Sequence, residues 1–226
     1  MNINVIETKN FVRKKKNRTP IIIAAVAVAL AAVIAFLVLF ADFGGNAVDI
    51  NREPSRGLSF DKTSITEKTY TLVGIGACRD KDIAVQGEKD GMPVVAVGEL
   101  AFQGNNTIKS IVLPESLTNI GSSSFAYCEN LETVVFKGNL NQINNSAFRY
   151  CTSLEEITLP ASVKVIAESA FSHCTSLSKI YFGGTMEEWK NIRFGSYWNV
   201  YMPEYTVYCS DGEIFVDLYS KYREVV

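Results

Sequence analysis

The chain has 226 residues, 47% of them hydrophobic, and a net charge of −2, a length that could hold one or two ordinary domains. The near-neutral total hides an asymmetry: residues 1–20 carry six basic side chains against one acidic (+5), which leaves 16 basic and 23 acidic groups (−7) in residues 42–226. Because an acidic folded part gathers nucleic-acid phosphates poorly, nucleic-acid binding is disfavoured.

The N-terminal part of the chain predicts a membrane anchor. Residues 21–41 are 21 consecutive apolar positions without Gly, Pro or charge, which at 1.5 Å rise per residue matches a hydrocarbon core about 30 Å thick. The alternative is a cleavable signal peptide, but its apolar region normally spans about 7–15 residues and a cleavage site follows it. Since Lys and Arg beside a spanning helix stay cytoplasmic, residues 1–20 form a cytoplasmic tail. We therefore predict a single-pass membrane protein whose C-terminal domain is extracellular.

Two segments precede the main repeats. Residues 42–57, which contain Gly44-Gly45 and Pro54, are typical of a linker. Residues 58–92 predict an N-terminal β cap, with extended segments at Thr69–Ile75 and Asp82–Val85 and a turn at Asp90-Gly91.

An internal repeat with a 23-residue period occupies residues 93–183. Six apolar columns keep this step over four copies: Val94, Leu117, Leu140, Val163; Val97, Ile120, Ile143, Ile166; Phe102, Phe125, Phe148, Phe171; Ile108, Leu131, Leu154, Leu177; Ile111, Val134, Ile157, Ile180; and Leu113, Phe136, Leu159, Phe182. Within a copy, Ile157-Thr-Leu159 alternates with period two, as a strand with one buried face requires, and Val163–Ile166 is a second short extended run. Each copy therefore predicts one coil of a superhelix whose stacked neighbours create the core.

Residues 184–226 predict a C-terminal cap that combines a short helix and a β-hairpin. Thr185-Met-Glu-Glu188 is a capping box that opens the helix. Two extended segments, Tyr205–Cys209 and Ile214–Leu218, then flank the turn dipeptide Asp211-Gly212. About four coils make a body only about 20 Å long at the spacing of neighbouring strands, so the caps must supply much of the core.

The units IVLPESLTNIGSSSFAYCENL and ITLPASVKVIAESAFSHCTSL and the tail FGGTMEEW resemble the BspA-like leucine-rich repeats of bacterial surface antigens. The resemblance covers about residues 58–216 and implies a mainly β fold: a short right-handed leucine-rich-repeat solenoid of about four 23-residue coils with two caps. The transmembrane helix predicted from the apolar run precedes it. Such repeats are similar to proteins that adhere to host matrix and to many of unknown role. The first copy departs from the pattern, since Gly104-Asn105-Asn106 stands where the others have an aromatic residue or His and then Cys, which predicts an edge coil.

The cysteines are explained by packing. Cys128, Cys151 and Cys174 occupy one column, and parallel side chains of stacked coils stay about 4.8 Å apart at Cβ, beyond the roughly 3.5–4.5 Å that a disulfide needs. We expect buried free thiols, and no bond between Cys78 and Cys209, which lie in opposite caps.

Other candidates for chemistry have simpler explanations. His173, the only histidine, takes the place of Tyr127 and Tyr150 in its column and is predicted to be a half-exposed repeat variant. With one histidine, zinc hydrolase sites and His-dependent triads lack parts. Acidic pairs such as Glu187-Glu188 lack calcium-loop spacing and predict solvated charge. The sequence therefore predicts no enzyme, no cofactor and no metal site.

Outward positions on the regular strands form the candidate ligand-facing surface. They make up two columns: Ser110, Thr133, Glu156, Lys179; and Val112, Val135, Thr158, Tyr181. Extended repeat faces commonly bind partners, so Tyr181 and the two valines, which we expect to be exposed, would anchor a protein or a glycan. The alternative is a merely solvated sheet with scattered apolar residues.

The leading interpretation is a membrane-anchored extracellular binding module for adhesion to, or recognition of, a protein or glycan at the cell surface. The alternative is a structural or regulatory envelope protein with a partner in the same membrane. Small residues along Ala24–Ala35 would permit close contact between spanning helices in that case.

Overall fold

A computed structural model describes residues 48–217 except 65 and 67. The predicted tail (1–20), membrane helix (21–41) and first part of the linker lie outside the described residues. Within the described part, no helix is long and apolar enough to cross a bilayer.

The described residues form fifteen short strands and one helix. In chain order they are β1 Ser59–Ser64, β2 Thr69–Gly74, β3 Asp82–Ala84, β4 Glu88–Lys89, β5 Met92–Val97, β6 Ser110–Leu113, β7 Asn119–Ile120, β8 Thr133–Phe136, β9 Gln142–Ile143, β10 Glu156–Leu159, β11 Val165–Ile166, β12 Lys179–Phe182, α1 Met186–Lys190, β13 Arg193–Phe194, β14 Tyr205–Cys209 and β15 Gly212–Val216.

The strands build two sheets that run along a mainly β solenoid. One sheet has the order β1-β2-β5-β7-β9-β11-β13, with β4 paired to β5, and the other has the order β15-β14-β12-β10-β8-β6-β3. Between coils the pairing is parallel, and β1, β4 and β15 add antiparallel neighbours. Each coil contributes one strand to each sheet, in the pairs β2–β3, β5–β6, β7–β8, β9–β10, β11–β12 and β13–β14.

The expected number of about four coils was therefore wrong, because the described chain forms six. The end coils are hidden from a search for the regular period because their steps along the chain are longer. In the first of them Ile83 pairs with Ile111, and in the last Ile180 pairs with Val207, so both pairs are wider apart in sequence than the pairs of the middle coils. The first regular copy is accordingly not an edge coil, since β5 and β6 pair with β2 and β3 of the coil before it.

Local signals near both ends were read correctly. The capping box is present, with the Thr185 side chain accepting from the backbone N–H of Glu188 and the Glu188 side chain accepting from that of Thr185. The hairpin joins β14 and β15 at Asp211-Gly212. A second hairpin, β4–β5, turns at Asp90-Gly91. The insertion of α1 is what lengthens the step into the last coil.

The core is one continuous cluster formed by the six columns and extended at each end. At its centre the rings of Phe102, Phe125, Phe148 and Phe171 stack at centroid distances of 5.1, 5.2 and 5.3 Å with interplanar angles of 3°. Trp198 of the last coil closes this stack edge-on against Phe171. The fold therefore places identical side chains of successive coils directly above one another.

Candidate binding surfaces

The turn that connects the two sheets holds two left-handed backbone positions in each of five coils. Positive φ recurs in two columns: Leu100, Ser123, Ser146, Ser169, Tyr197; and Gly104, Tyr127, Tyr150, His173, Tyr201. Left-handed backbone is costly for residues with a Cβ, on the order of 1–3 kcal/mol each, and persists only where the surroundings impose it. Here hydrogen bonds between coils impose it, such as those from the N–H of Tyr127 to the carbonyl of Arg149 (2.8 Å) and from the N–H of Tyr150 to that of Ser172 (2.9 Å).

The second of these columns forms a stack of rings, which we call the aromatic ladder: Tyr127, Tyr150, His173 and Tyr201. Neighbouring ring centroids are 4.8, 4.0 and 4.4 Å apart, with interplanar angles of 8°, 9° and 29°. The two ends are the most exposed, with 40% of Tyr127 and 63% of Tyr201 accessible to solvent. The ladder is thus a rigid aromatic strip on the outside of the solenoid.

His173 is half-buried, as expected, and lies between two tyrosine rings. Partial burial and the nearby Arg149 guanidinium lower the pKa of its imidazole below the ordinary value. Arg149 also lies over the ring of Tyr150, 5.1 Å from its centroid, a cation–π geometry. The neutral imidazole is therefore the form that completes the ladder at neutral pH.

Burial divides the candidate surface predicted on the regular strands. In β6 and β8 the positions Ser110, Val112, Thr133 and Val135 are buried, with only 5% of Val112 and 4% of Val135 exposed. The expectation that these valines are exposed was wrong. Alternation along a strand shows which way a side chain points, but not whether another segment covers that face.

A segment outside the repeats lies against this buried half. Val48, Asp49 and Arg52 line a cavity of about 420 Å³ together with Ser110 and other residues of the first strands. Arg52 pairs with Asp82 at 3.5 Å, and the hydroxyl of Ser110 donates to the same carboxylate at 2.7 Å.

The other half of that surface, on β10 and β12, is half-exposed at Glu156, Thr158, Lys179 and Tyr181. The register extends it to β14, where the ring of Tyr208 stacks on that of Tyr181 at 5.2 Å. Burial, together with Glu156 and Tyr208, raises the pKa of Tyr181 to about 12. Tyr181 therefore stays a neutral hydrogen-bonding group on an aromatic surface, which we call the strand patch: Glu156, Thr158, Lys179, Tyr181 and Tyr208.

The remaining sequence candidates take structural positions. All five cysteines are free and buried, as predicted for the column. Each column thiol donates to the carbonyl oxygen of a phenylalanine in the preceding coil at 3.0 Å, as Cys151 does to Phe125. Among the described residues, no group of three or more His, Cys, Asp or Glu side chains is placed to hold a metal ion.

The sequence placed Tyr127, Tyr150 and His173 in one column but did not predict that their rings stack on the outside of the solenoid, nor that Tyr201 is the last member. Tyr201 follows His173 at a longer step than the other members of the ladder keep, because α1 is inserted between them. The feature that unites the four residues lies in the backbone and not in the sequence, since each lies four positions after another left-handed residue.

Comparison with known proteins agrees with this architecture. A family model described as a BspA type Leucine rich repeat region matches residues 92–200 in six copies. A search of curated proteins finds no match.

Several solved structures are similar to the chain. A leucine-rich repeat protein of T. pallidum is 25% identical with a TM-score of 0.55, over 64% of this chain and 64% of that one. A leucine-rich repeat protein of Bacteroides capillosus is 31% identical with a TM-score of 0.49, over 57% of this chain and 95% of that one. A leucine rich cell surface protein of Faecalibacterium prausnitzii is 25% identical with a TM-score of 0.45, over 61% and 41%. The chain thus spans less than two thirds of the first and third of these proteins.

Proposed function

Because the chain belongs to the family of BspA-type leucine-rich repeat proteins, we propose that it is a binding module that recognises a protein or a glycan at the cell surface. The fold supports recognition because it holds large side chains at fixed spacing on a rigid scaffold. Preorganised contacts bind with a smaller entropic penalty than flexible ones.

The observation that carries this proposal is the aromatic ladder. Its end rings, Tyr127 and Tyr201, are solvent-exposed and the two between them are half-buried, and all four are stacked along the same coils as the buried phenylalanines. Tyrosine supplies a large contact area with few rotatable bonds and a hydroxyl for hydrogen bonding, and it is enriched at binding hot spots. The strand patch offers a second exposed aromatic surface, so Thr158, Glu156, Lys179 and Tyr181 stay in the proposal, whereas Val112, Val135 and Thr133 contribute by packing.

We further propose that residues 21–41 anchor the protein in a membrane with residues 1–20 in the cytoplasm and the repeat domain outside. The apolar run and the adjacent basic residues support this orientation. Protease added to intact cells should remove a C-terminal tag. A tag that is digested only after the cells are permeabilised would reverse the proposed topology.

The binding function can be tested with the full chain in nanodiscs on arrays of matrix proteins and glycans. We expect a ligand to be captured, and the double variant Tyr150→Ala, Tyr201→Ala to lose most of that capture. Phe215→Ala is the matched comparison, because Phe215 is an exposed aromatic residue on β15, outside the ladder. Phe215 lies opposite Thr206, the strand neighbour of Lys179, so loss of capture in this variant alone would place the ligand on the strand patch.

Two outcomes would contradict the proposal. Capture that the ladder variant leaves unchanged would remove the ladder as the binding surface. A blank array combined with crosslinking to a protein of the same membrane would favour the structural or regulatory envelope role.

A further inference from the structure

The aromatic ladder lacks one rung. Gly104 has the backbone of a ladder position: its φ is 68°, against 61° at Tyr127, and its N–H donates to the carbonyl of Ala126 at 2.8 Å, as the N–H of Tyr127 does to Arg149. The position is therefore in register with the ladder, and the side chain alone is missing.

The space beside the missing rung is open. A Cβ built on Gly104 meets no atom of the described residues within 4 Å. The preceding coil does not fill the gap, because its connection from β2 to β3 spans only residues 75–81, whereas the connection from β5 to β6 spans residues 98–109. The ring of Tyr127 thus stacks on Tyr150 through one face. Within the described part of the chain, the coil of β5 and β6 places no ring against the other face, because its residue at this position is Gly104.

The loop that carries Gly104, and the neighbouring turn of the next coil, bear several amide side chains. Gln103 and Asn106 are exposed beside Gly104, and Asn130 lies next to them, with its amide donating to the carbonyl of Asn106 at 2.7 Å. The side-chain oxygen of Asn106 accepts from the backbone N–H of Glu129 at 2.9 Å, which fixes the orientation of this side-chain amide. Leu100, in the same turn, is an exposed apolar residue.

We propose that the open face of Tyr127 and the loop 103–106 form a stacking subsite for one pyranose ring of a neutral glycan. The C–H face of a pyranose packs against the electron-rich face of an aromatic ring, and the side-chain amides provide both donors and acceptors for its hydroxyls. A pyranose stacked on Tyr127 would take the place of the missing rung, since successive rungs stand 4.0–4.8 Å apart. The assignment rests on the proposed binding function and narrows it to a carbohydrate at the N-terminal end of the ladder.

The amide surroundings favour a sugar over a protein side chain. An aromatic or proline anchor of a protein partner binds best in a deep, desolvated pocket. The rung at Gly104 is instead shallow and bordered by polar groups that a sugar can satisfy.

The test is an NMR titration of the full chain in nanodiscs with cellotriose, maltotriose and chitotriose as probes. We expect at least one trisaccharide to bind and to shift the ring signals of Tyr127. Gly104→Tyr should fill the rung and weaken binding at least tenfold while the domain stays folded, because tyrosine already occupies this backbone conformation at Tyr127 and Tyr150. A small decrease in melting temperature is expected from a side chain at positive φ. Tyr127→Ala should weaken binding equally because it removes the ring on which the sugar stacks. This variant replaces Gly104→Tyr as the test if Gly104→Tyr does not fold. Tyr201→Ala, at the other end of the ladder, should leave this binding unchanged.

The subsite is overturned if no trisaccharide binds the wild-type chain or if both Gly104→Tyr and Tyr127→Ala bind as well as wild type. Competition by a proline- or tryptophan-containing peptide that binds more tightly than any of the sugars would assign the rung to a protein ligand. A protein captured on the arrays by a chain that binds none of the trisaccharides would leave the binding module in place and remove the sugar subsite alone.

Discussion

Two aromatic columns run side by side along this solenoid, one inside and one outside. The inner column, Phe102 to Phe171, is buried and stacks at 5.1–5.3 Å with ring planes within 3°. The outer column, the aromatic ladder, stacks at 4.0–4.8 Å and is open to solvent. The same backbone register positions both.

The two columns differ in what their rings contribute. Burying a phenylalanine side chain removes a large apolar area from water and stabilises the fold by about 1.5–3 kcal/mol. A ring in the outer column keeps much of its surface in water and gains mainly from stacking, about 0.5–1.5 kcal/mol per pair. The inner column therefore accounts for the fold, and the outer column is the part of the repeat that can be altered while the fold persists.

The largest effect is expected from a charge placed beside the inner column. Leu154 is fully buried, so Leu154→Asp would bury an unpaired carboxylate at a cost of several kcal/mol, comparable with the total stability of a domain. We expect the domain to unfold, as measured by circular dichroism and thermal melting. An unchanged melting curve would contradict the solenoid core.

A matched pair of truncations measures the difference between the columns directly. Phe148→Ala should lower the free energy of unfolding by about 3–5 kcal/mol because it leaves a cavity between two stacked rings. Tyr150→Ala, in the same turn, should cost less, about 1–3 kcal/mol, because it removes two stacking contacts of a half-exposed ring. Both values come from denaturant titration, and equal losses would show that the outer column is also a structural core.

The thiols beside the inner column should be inert in the folded protein. Burial raises the pKa of Cys128 to about 12, from an ordinary value of 9.0. Since the folded state holds this proton more tightly, the contribution of this thiol to stability should be constant below about pH 9 and fall as the pH rises towards 12. A thiol reagent at pH 8 should label no cysteine of the described domain until denaturant is added. Rapid labelling of the native protein would contradict the buried column.

The smallest effect concerns the outer column. The pKa of His173 is lowered, so the folded state disfavours the imidazolium. The contribution of His173 to stability should therefore be fully present above the unfolded pKa of about 6.5 and should decrease slightly as the pH falls through the folded pKa. As the only histidine, His173 gives a single imidazole signal in an NMR titration. Arg149→Ala should raise its pKa by removing a nearby positive charge. A wild-type pKa above 6.5 would contradict the observed packing.

Sequence alone predicted the coils that repeat at a constant step. Phe125 and Phe148 could be placed in the core because hydrophobic columns that keep one unchanging period admit a single register. The end coils were not predicted because α1 and the longer connections lengthen the step between coils. Val207 and Tyr201 were therefore not assigned to the repeat columns.

The surface was harder to predict than the core. Alternation placed Val112 and Val135 on the outward face correctly but could not show that this face is covered. The ladder could be detected only partly, because stacking depends on left-handed backbone at tyrosine positions, a conformation that propensity assigns to glycine. The sequence showed that Gly104 departs from the repeat. That it leaves one face of Tyr127 without a stacked ring became evident only from the structure.

The constant step between the middle coils also bears on how such a chain can change length. Within residues 106–182 every column, inner or outer, advances by the same step, so duplication of a stretch of that length, wherever it begins in this range, adds one complete coil. The duplicated coil brings one ring to each stack, one thiol and one hydrogen-bonded turn. Duplication of a slightly shorter or longer stretch would shift the register and place polar side chains in the core. Genetic recombination can therefore lengthen the exposed ladder one rung at a time without a new fold.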